Sequence, residues 1–366
     1  MTTPRTFGCE HGDPGRRSRT DARPRRYVAF EAIVLPAEQV ERWPVRPRDP
    51  ARYVVVDPSG QRMVIVYDTA AVVLQPYAVR LHLAPEIGRW SACATERGLL
   101  YGPHLHPWDG EPPQRLATMA LLLDDEPRTQ AAVSLRDDRW LCAVSSTPAW
   151  SEAEVRIESR QLDQQGVSTQ WRAHLPGQGI AAIDDAGSLA VLTSSGLHVY
   201  AASPPERRAA PQWSAPVSGR GGHAVSAAAP GWVVLAPSES SPNATVVRAW
   251  NRDGTDAWET TVPFAVQQPP VQRPDGSLVL AGSGLAGLHD GTLKWQQPRE
   301  RSVTATAYGD GSLAVAEGPW LHILGPDQRC VQSLQVPHDE SIVTQPTIAP
   351  DGTIYVGTAS RVYAVR

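Results

Sequence analysis

The segment His104-Leu-His-Pro-Trp-Asp109 carries the side chains best suited to binding a metal ion. Imidazole and carboxylate groups are usual protein ligands of zinc and related ions. His104 and His106 alternate along an extended segment, and we expect them to point to opposite sides, so that they share an ion only if the segment bends. No second ligand cluster is apparent in the sequence. We therefore predict no metal centre here.

Three tryptophans fall in segments that we place between the second and third strands of successive repeats. They are Trp108 in residues 102–114, Trp150 in residues 145–154 and Trp320 in residues 317–320. Connections of this kind share one face, and loop aromatics often mark recognition surfaces. We predict that Trp108, Trp150 and Trp320, with His104 and His106, bind a protein partner. The alternative is that each ring folds back on its own loop.

Other polar residues recur with the repeats, and we assign them structural roles. Aspartates precede glycine at Asp253, Asp275, Asp290, Asp310 and Asp351. Asp-Gly is a favoured turn pair, so these carboxylates are expected to stabilise turns and not to bind calcium. Three histidines each follow a leucine, at His198, His289 and His322. We predict that they occupy one repeated packing position in the third strand, where the last repeat has Tyr363.

Signals of catalysis are missing from the sequence. It has no nucleophile motif, phosphate-binding loop or zinc signature. Its four cysteines, Cys9, Cys93, Cys142 and Cys330, are far apart, which is typical of a reduced, cytoplasmic protein. No stretch approaches the roughly 20 apolar residues of a membrane span. These observations predict a non-catalytic protein without a cofactor.

The elements that position these residues form an internal repeat. Similar segments can be aligned on eight anchors: Gly60, Gly98, Asp138, Gly187, Gly231, Gly276, Gly311 and Gly352. The anchors are 35 to 49 residues apart, and each copy contains four short strand patterns. Copies of about 40 to 45 residues with four strands each are typical of propeller blades. We therefore predict an all-β fold, a β-propeller of eight four-stranded blades; because the first two copies are weak, seven blades is the alternative.

Each strand of the repeat has its own pattern. The second strand, as in Leu189–Thr193, is almost entirely apolar, which is expected where both sheet faces are covered. The fourth strand carries a tryptophan in four copies, at Trp171, Trp213, Trp258 and Trp295, and Val331 takes that place in the seventh copy. A tryptophan that recurs at one position is expected to pack between neighbouring sheets.

The segment Asp351-Gly-Thr-Ile-Tyr-Val-Gly-Thr, with the later Val362-Tyr-Ala-Val and the recurring tryptophan, resembles the PQQ-like β-propeller repeat. The resemblance is good over residues 179–366 and weak over 27–178. It implies a propeller fold and says little about activity. Quinoprotein dehydrogenases of this family have longer chains, adjacent cysteines and a calcium site. Since this chain has no adjacent cysteines, it resembles a non-quinoprotein member.

The N-terminal region differs from the rest of the chain. Residues 1–26 contain seven arginines and three acidic residues without an apolar period, so we predict a disordered Arg-rich tail. The whole chain has a net charge of −4, which disfavours nucleic-acid binding except through this tail. The apolar segment 26–36 is the spare strand that can pair with the C-terminal residues 361–366. This pairing would close the propeller, which then occupies residues 27–366.

The sequence therefore favours a scaffold, monomeric on its own, that binds protein as a subunit of a larger bacterial assembly. The same loop tryptophans are also compatible with a ligand- or carbohydrate-binding propeller, including an enzyme. A carbohydrate site would pair aromatic rings with Asp, Glu or Asn in a cleft, whereas a protein site would be a broader patch.

Overall fold

The fold is taken from a computed structural model of the chain. The structure describes residues 22–33, 51–57, 59–67, 71–75, 79–83, 92–94, 98–101, 104–115, 128–135, 139–146, 154–163, 166–176, 179–184, 186–202, 204, 207–217 and 222–366.

The described residues form strands joined by turns. In chain order the strands are β1 (Phe30–Ile33), β2 (Tyr53–Val56), β3 (Met63–Val66), β4 (Ala71–Leu74), β5 (Val79–Leu83), β6 (Ala92–Ala94), β7 (Gly98–Tyr101), β8 (His104–Pro107), β9 (Gln114–Arg115), β10 (Arg128–Leu135), β11 (Arg139–Ser146), β12 (Glu154–Asp163), β13 (Gly166–Pro176), β14 (Gly179–Ile183), β15 (Leu189–Thr193) and β16 (Gly196–Tyr200). The remaining strands are β17 (Trp213–Ala215), β18 (Ala224–Ala228), β19 (Gly231–Pro237), β20 (Thr245–Asn251), β21 (Asp256–Val262), β22 (Val271–Gln272), β23 (Leu278–Ala281), β24 (Gly284–His289), β25 (Thr292–Pro298), β26 (Val303–Ala307), β27 (Leu313–Glu317), β28 (Trp320–Leu324), β29 (Cys330–Gln335), β30 (Thr347–Ile348), β31 (Ile354–Gly357) and β32 (Val362–Val365). A 3₁₀ turn, Pro337–Asp339, lies between β29 and β30.

Within the described ranges these strands form eight four-stranded antiparallel sheets. Seven are meanders of consecutive strands, and the eighth has the order β1-β32-β31-β30. The predictions of an all-β fold and of four-stranded repeat units are confirmed. Two compact units share the strands: β1–β5 with β22–β32 form one, and β6–β21 form the other. No helix among the described residues is long and apolar enough to span a membrane.

The Asp-Gly turns have the expected chemistry. Gly276 has a φ of 83°, a left-handed conformation that glycine adopts without a steric penalty. Asp275 Oδ1 accepts the backbone N–H of Ser277 at 2.9 Å, and the Asp351 carboxylate accepts that of Thr353 in the same way. These carboxylates stabilise turns, as predicted.

Not every anchor glycine serves a turn. Gly231 is the first residue of the second strand β19, and a Cβ atom there would lie 2.6 Å from the carbonyl oxygen of Trp250. Glycine is required at this position because two backbones approach closely. The two tryptophans Trp232 and Trp250 pair across β19 and β20 and are fully buried.

The fourth-strand tryptophans share one register position. Trp171, Trp258 and Trp295 pair with Ser159, Ala249 and Gly287, and each pairing is followed by a β-bulge. Trp213 pairs with Val199 at the matching place in its sheet. A bulge re-aims the side chain beside it, which explains why the ring recurs there. Trp171 is buried, whereas the other three are half-buried.

The seventh copy requires a correction. Ile323 pairs with Gln332 and Leu324 with Cys330, so Val331 is the extra residue of the bulge. Gln332 therefore takes the tryptophan position, and Val331, which we had predicted there, is 72% exposed. The one-residue shift arises because a bulge adds a residue that sequence spacing does not reveal.

The predicted pairing of the N-terminal strand with the last strand is confirmed. Strand β1 pairs with β32 from Phe30↔Val365 to Ile33↔Val362. The preceding residues are also packed: the Tyr27 hydroxyl lies 2.6 Å from that of Tyr308 and donates to the carbonyl of Gly352 at 2.8 Å. The Gln332 side chain accepts the N–H of Tyr27 at 3.1 Å.

The tail boundary lies earlier than the predicted residue 26. The carbonyl of Ala22 accepts the N–H of Gly309 at 2.8 Å, and Arg25 donates to Thr353 Oγ1 at 3.0 Å. The chain is thus attached to the folded region from Ala22 onwards, because a backbone carbonyl and an arginine can form hydrogen bonds without an apolar period. Residues 1–21 lie outside the described ranges, and their disorder stays a prediction.

Two glutamine side chains form hydrogen bonds with the backbone of β26, which is the edge strand at one end of its sheet. Gln268 donates to the carbonyl of Ala305 and accepts its N–H, both at 3.0 Å. Gln345, which lies just before β30, donates to the same carbonyl at 2.8 Å. Unpaired strand edges are a liability, and here amide groups cover the edge of β26 where a further strand would otherwise pair.

Candidate functional site

One register position of the third strand carries histidine repeatedly. His198 pairs with Val191, and His322 pairs with Val315; Tyr363 pairs with Val356 at the same place in the eighth sheet. The predicted equivalence of His198, His322 and Tyr363 is therefore confirmed. The inclusion of His289 is wrong. It is the last residue of β24 and pairs with Thr292 of β25, so it lies at the end of the third strand and not at the shared position.

His106 also belongs to this set, although the sequence did not suggest it. It pairs with Leu99 two residues after the start of β8, as His198 does in β16 and His322 in β28. Each of the three histidines follows a leucine that is buried. The Leu-His pair was visible in the sequence, but its recognition required His104–Pro107 to be placed in a strand and not in a loop.

The first member, His198, is held between hydroxyl groups. Its Nδ1 lies 2.9 Å from Ser214 Oγ on β17, and its Nε2 lies 3.1 Å from Ser195 Oγ in the preceding hairpin. Burial lowers the pKa of His198. Both serine hydroxyls are uncharged, so the neutral imidazole suits this polar environment.

The second member, His322, has a charged environment. Its Nδ1 lies 2.8 Å from Ser333 Oγ on β29, and its Nε2 lies 3.8 Å from Glu317 Oε2. Arg299 donates to the same Glu317 oxygen at 3.1 Å. Burial lowers the pKa of His322, while Glu317 opposes this effect and Arg299 adds to it. Ser333, Glu317 and Arg299 were missed from sequence, because only the strand register brings them to the histidine.

Trp320 lies beside this histidine on an ordered hairpin. Its ring stacks on the His322 ring with centroids 6.3 Å apart, and 38% of its surface stays exposed. The hairpin is fixed from the connection that follows β29: Val336 donates to the carbonyl of Pro319 at 2.8 Å, and Ile342 donates to that of Gly318 at 2.7 Å. The structure thus presents an aromatic ring on a rigid backbone.

Trp108 lies at the other end of an equivalent strand. The predicted single connection 102–114 is wrong, since His104–Pro107 forms the third strand β8 and Trp108 follows it. Trp320, by contrast, begins the third strand β28. The predicted place in a second-to-third connection is therefore wrong for Trp108, whereas Trp320 is the first strand residue after the two-residue connection 318–319. Trp108 is half-buried, and Trp150 lies outside the described residues.

His104 and His106 point to the same side of β8, and our expectation of opposite sides is wrong. Residues i and i+2 of a strand share one face, and the two ring centroids are 6.0 Å apart. Both rings are half-buried. Burial and the neighbouring His104 lower the pKa of His106 to about 4, so its imidazole is neutral near pH 7.

The chemistry available at these sites is limited. Ser333 and His322 form a hydroxyl–imidazole pair, but Glu317 is 3.8 Å from the ring and is already bonded to Arg299. Among the residues that the structure describes, no group of three or more His, Cys, Asp or Glu side chains could hold a metal ion.

Comparison with known proteins gives little further information. No protein-family model matches the chain, and no curated protein matches it. Among solved structures it is similar to a protein of unknown function from Bacteroides caccae, at 14% sequence identity and a TM-score of 0.38. The match covers 59% of this chain and 81% of that one.

Proposed function

We propose that this chain is a non-catalytic, PQQ-like β-propeller of eight blades that binds a protein partner through the surface around Trp320. It would act in the cytoplasm as a scaffold or subunit of a larger bacterial assembly. The eight four-stranded sheets, the recurrent fourth-strand tryptophan and the completion of the last sheet by β1 support the architecture. The free, exposed thiol of Cys330 favours a reducing compartment.

The observation that carries the binding proposal is the exposed ring of Trp320 on a fixed hairpin. We define the Trp320 surface as residues 317–320 with Val343, which is 49% exposed. Val343 directly follows Ile342, whose N–H binds the hairpin carbonyl of Gly318. A rigid aromatic side chain loses little entropy on binding, and tryptophan is enriched among residues that dominate interface energies.

The rim of this surface is polar. Arg301 lies against Gly318, where an added Cβ would be 2.6 Å from its guanidinium, and Arg299 pairs with Glu317. An apolar centre surrounded by arginine and carboxylate groups is usual for a protein interface. A sugar site would present a carboxylate to hydroxyl groups, but Glu317 is engaged by Arg299, which favours a protein partner over a carbohydrate.

The test compares two exposed apolar residues of the same sheet. The full chain, carrying a tag, is used to capture partners from the organism that encodes it, and Kd is then measured for the purified partner. Trp320→Ala should weaken binding by about 2 kcal/mol or more, as expected for a hot spot, which is about a thirtyfold rise in Kd.

Val331→Ala is the matched control. Val331 is more exposed than Trp320 but lies near the opposite end of β29, since Trp320 pairs with Gln335. This variant should bind normally. Equal binding by wild type and Trp320→Ala, or a loss confined to Val331→Ala, would contradict the proposed surface.

A further inference from the structure

The strongest additional feature lies in the other compact unit, on the sheet β6–β9. His104 and His106 project from one face of β8, and their ring centroids are 6.0 Å apart with the ring planes inclined by 57°. They pair with Tyr101 and Leu99 of β7, both of which are buried. A strand held on one side by a paired, buried neighbour fixes the backbone from which the two imidazoles extend.

We propose that His104 and His106 form a two-histidine chelate for a divalent late first-row transition-metal ion. Two imidazoles on one tetrahedral ion, each at about 2.0–2.1 Å, have ring centres about 5 Å apart. The observed separation of 6.0 Å exceeds that value by about 1 Å, a difference that rotation of the two side chains would have to remove. The His-X-His spacing supplies this geometry because alternate residues of a strand share a face.

The ligand type selects the class of ion. Imidazole suits copper, nickel and zinc, whereas magnesium and calcium require oxygen ligands. The Irving–Williams order places Cu²⁺ above Ni²⁺ and Zn²⁺ in affinity at such a site. Since no group of three protein ligands occurs among the described residues, water would complete the coordination. The site is therefore open, and weaker than a four-ligand structural zinc site.

The repeat provides internal controls. His198 and His322 occupy the same strand position as His106, but the residue two positions earlier is Gly196 in one case and Trp320 in the other. Each of these imidazoles also has a serine Oγ at 2.8–2.9 Å from Nδ1. They share the backbone setting of His106 and lack the second imidazole, so neither should chelate.

The experiment uses the metal-free full chain titrated calorimetrically with CuCl₂, NiCl₂ and ZnCl₂. Wild type should show one specific site with Cu²⁺ bound most tightly. His104→Gln and His106→Gln should each weaken Cu²⁺ binding at least tenfold, whereas His198→Gln should match wild type. Electron paramagnetic resonance of the Cu²⁺ complex should show coupling to two imidazole nitrogens, reduced to one in His104→Gln.

Thermal melting without metal checks that the variants fold, and the rise in Tm on adding Cu²⁺ gives a second readout. If His106→Gln does not fold, His104→Gln keeps the test available. Unchanged affinity in a folded His104→Gln variant, or equal losses in His198→Gln, would overturn the proposal. So would the absence of any Cu²⁺ binding to wild type.

Discussion

The third strands of the sheets β14–β17 and β26–β29 carry a histidine at the same position, and each histidine contacts a serine of the fourth strand. The two sheets differ at both ends of the third strand. The first has a hydroxyl-lined hairpin and a tryptophan, Trp213, in its fourth strand. The second has Glu317 and Trp320 on its hairpin and Gln332 in place of the tryptophan. The shared features belong to the repeat, whereas the differences are specific to the individual copies.

One of those differences follows from the N-terminal segment that contains Tyr27 and β1. Where β14–β17 has the Trp213 ring, whose Nε1 donates to the carbonyl of Arg252 at 3.0 Å, β26–β29 has Gln332 bound to the backbone of Tyr27. The buried ring of Tyr27 is then contributed by a segment more than 300 residues away in sequence. A polar side chain replaces the aromatic one because it must hold a neighbouring chain segment.

The largest expected effect is from removing that segment. Deletion of residues 1–36 removes β1 and Tyr27, leaving the edge of β32 unpaired, and unpaired edges promote aggregation. We expect the truncated protein to be insoluble or aggregated. Deletion of residues 1–21 is the control and should leave solubility and Tm close to wild type, because the packed segment from Ala22 is kept. A soluble, monomeric 1–36 deletion with wild-type Tm would show that closure is dispensable.

The next effect compares the two aromatic rings. Tyr27→Ala should lower the free energy of unfolding by about 3–5 kcal/mol, as for other large buried side chains. Trp213→Ala should cost less, about 2 kcal/mol, because its ring is only half-buried. Tyr27→Phe keeps the ring and loses the hydroxyl contacts, at about 1–2 kcal/mol. Denaturant unfolding measures all three, and a larger cost for Trp213→Ala than for Tyr27→Ala would reverse the comparison.

The two histidines should differ in their response to acid. Burial lowers the pKa of His198 from 6.5, so the unfolded chain binds more protons and stability is lost as the pH falls below about 6.5. His198→Gln should therefore lose less stability between pH 7 and pH 5 than wild type. At His322, Glu317 raises the pKa against the effect of burial, so Glu317→Gln should make the acid loss steeper. An unchanged pH profile in both variants would remove the electrostatic distinction between the sites.

The smallest effect on stability is expected at Trp320. Its ring is partly exposed and stacks on His322, so Trp320→Ala should change the free energy of unfolding by no more than about 1 kcal/mol. Thermal melting compares it with Trp213→Ala. A cost as large as that of Trp213→Ala would assign the ring to the core and weaken its proposed role in binding.

The sequence could predict those parts of the fold that depend on local chemistry. Glycine at positive φ and an aspartate oxygen that accepts a nearby N–H need only a few consecutive residues, and the turn at Gly276 was found in this way. The spare strand near residue 30 was also predictable, because an antiparallel sheet lacking one strand requires a partner. Residues of the candidate site were predictable only in part: Trp320 was identified, but its neighbours Ser333, Glu317 and Arg299 were not.

What the sequence determined by itself was the repeat: the turns, the buried second strands and the position of the recurring tryptophan, all of which follow from hydrophobic pattern and residue type. What only the tertiary structure decided was register. A bulge moved Gln332 into the place predicted for Val331, and the strand assignment of residues 104–107 brought His104 and His106 to one face while it separated Trp108 from the position of Trp320. A shift of one residue reverses the face on which every side chain of a strand lies, and that shift is fixed by pairing between strands rather than by the order of residues within one.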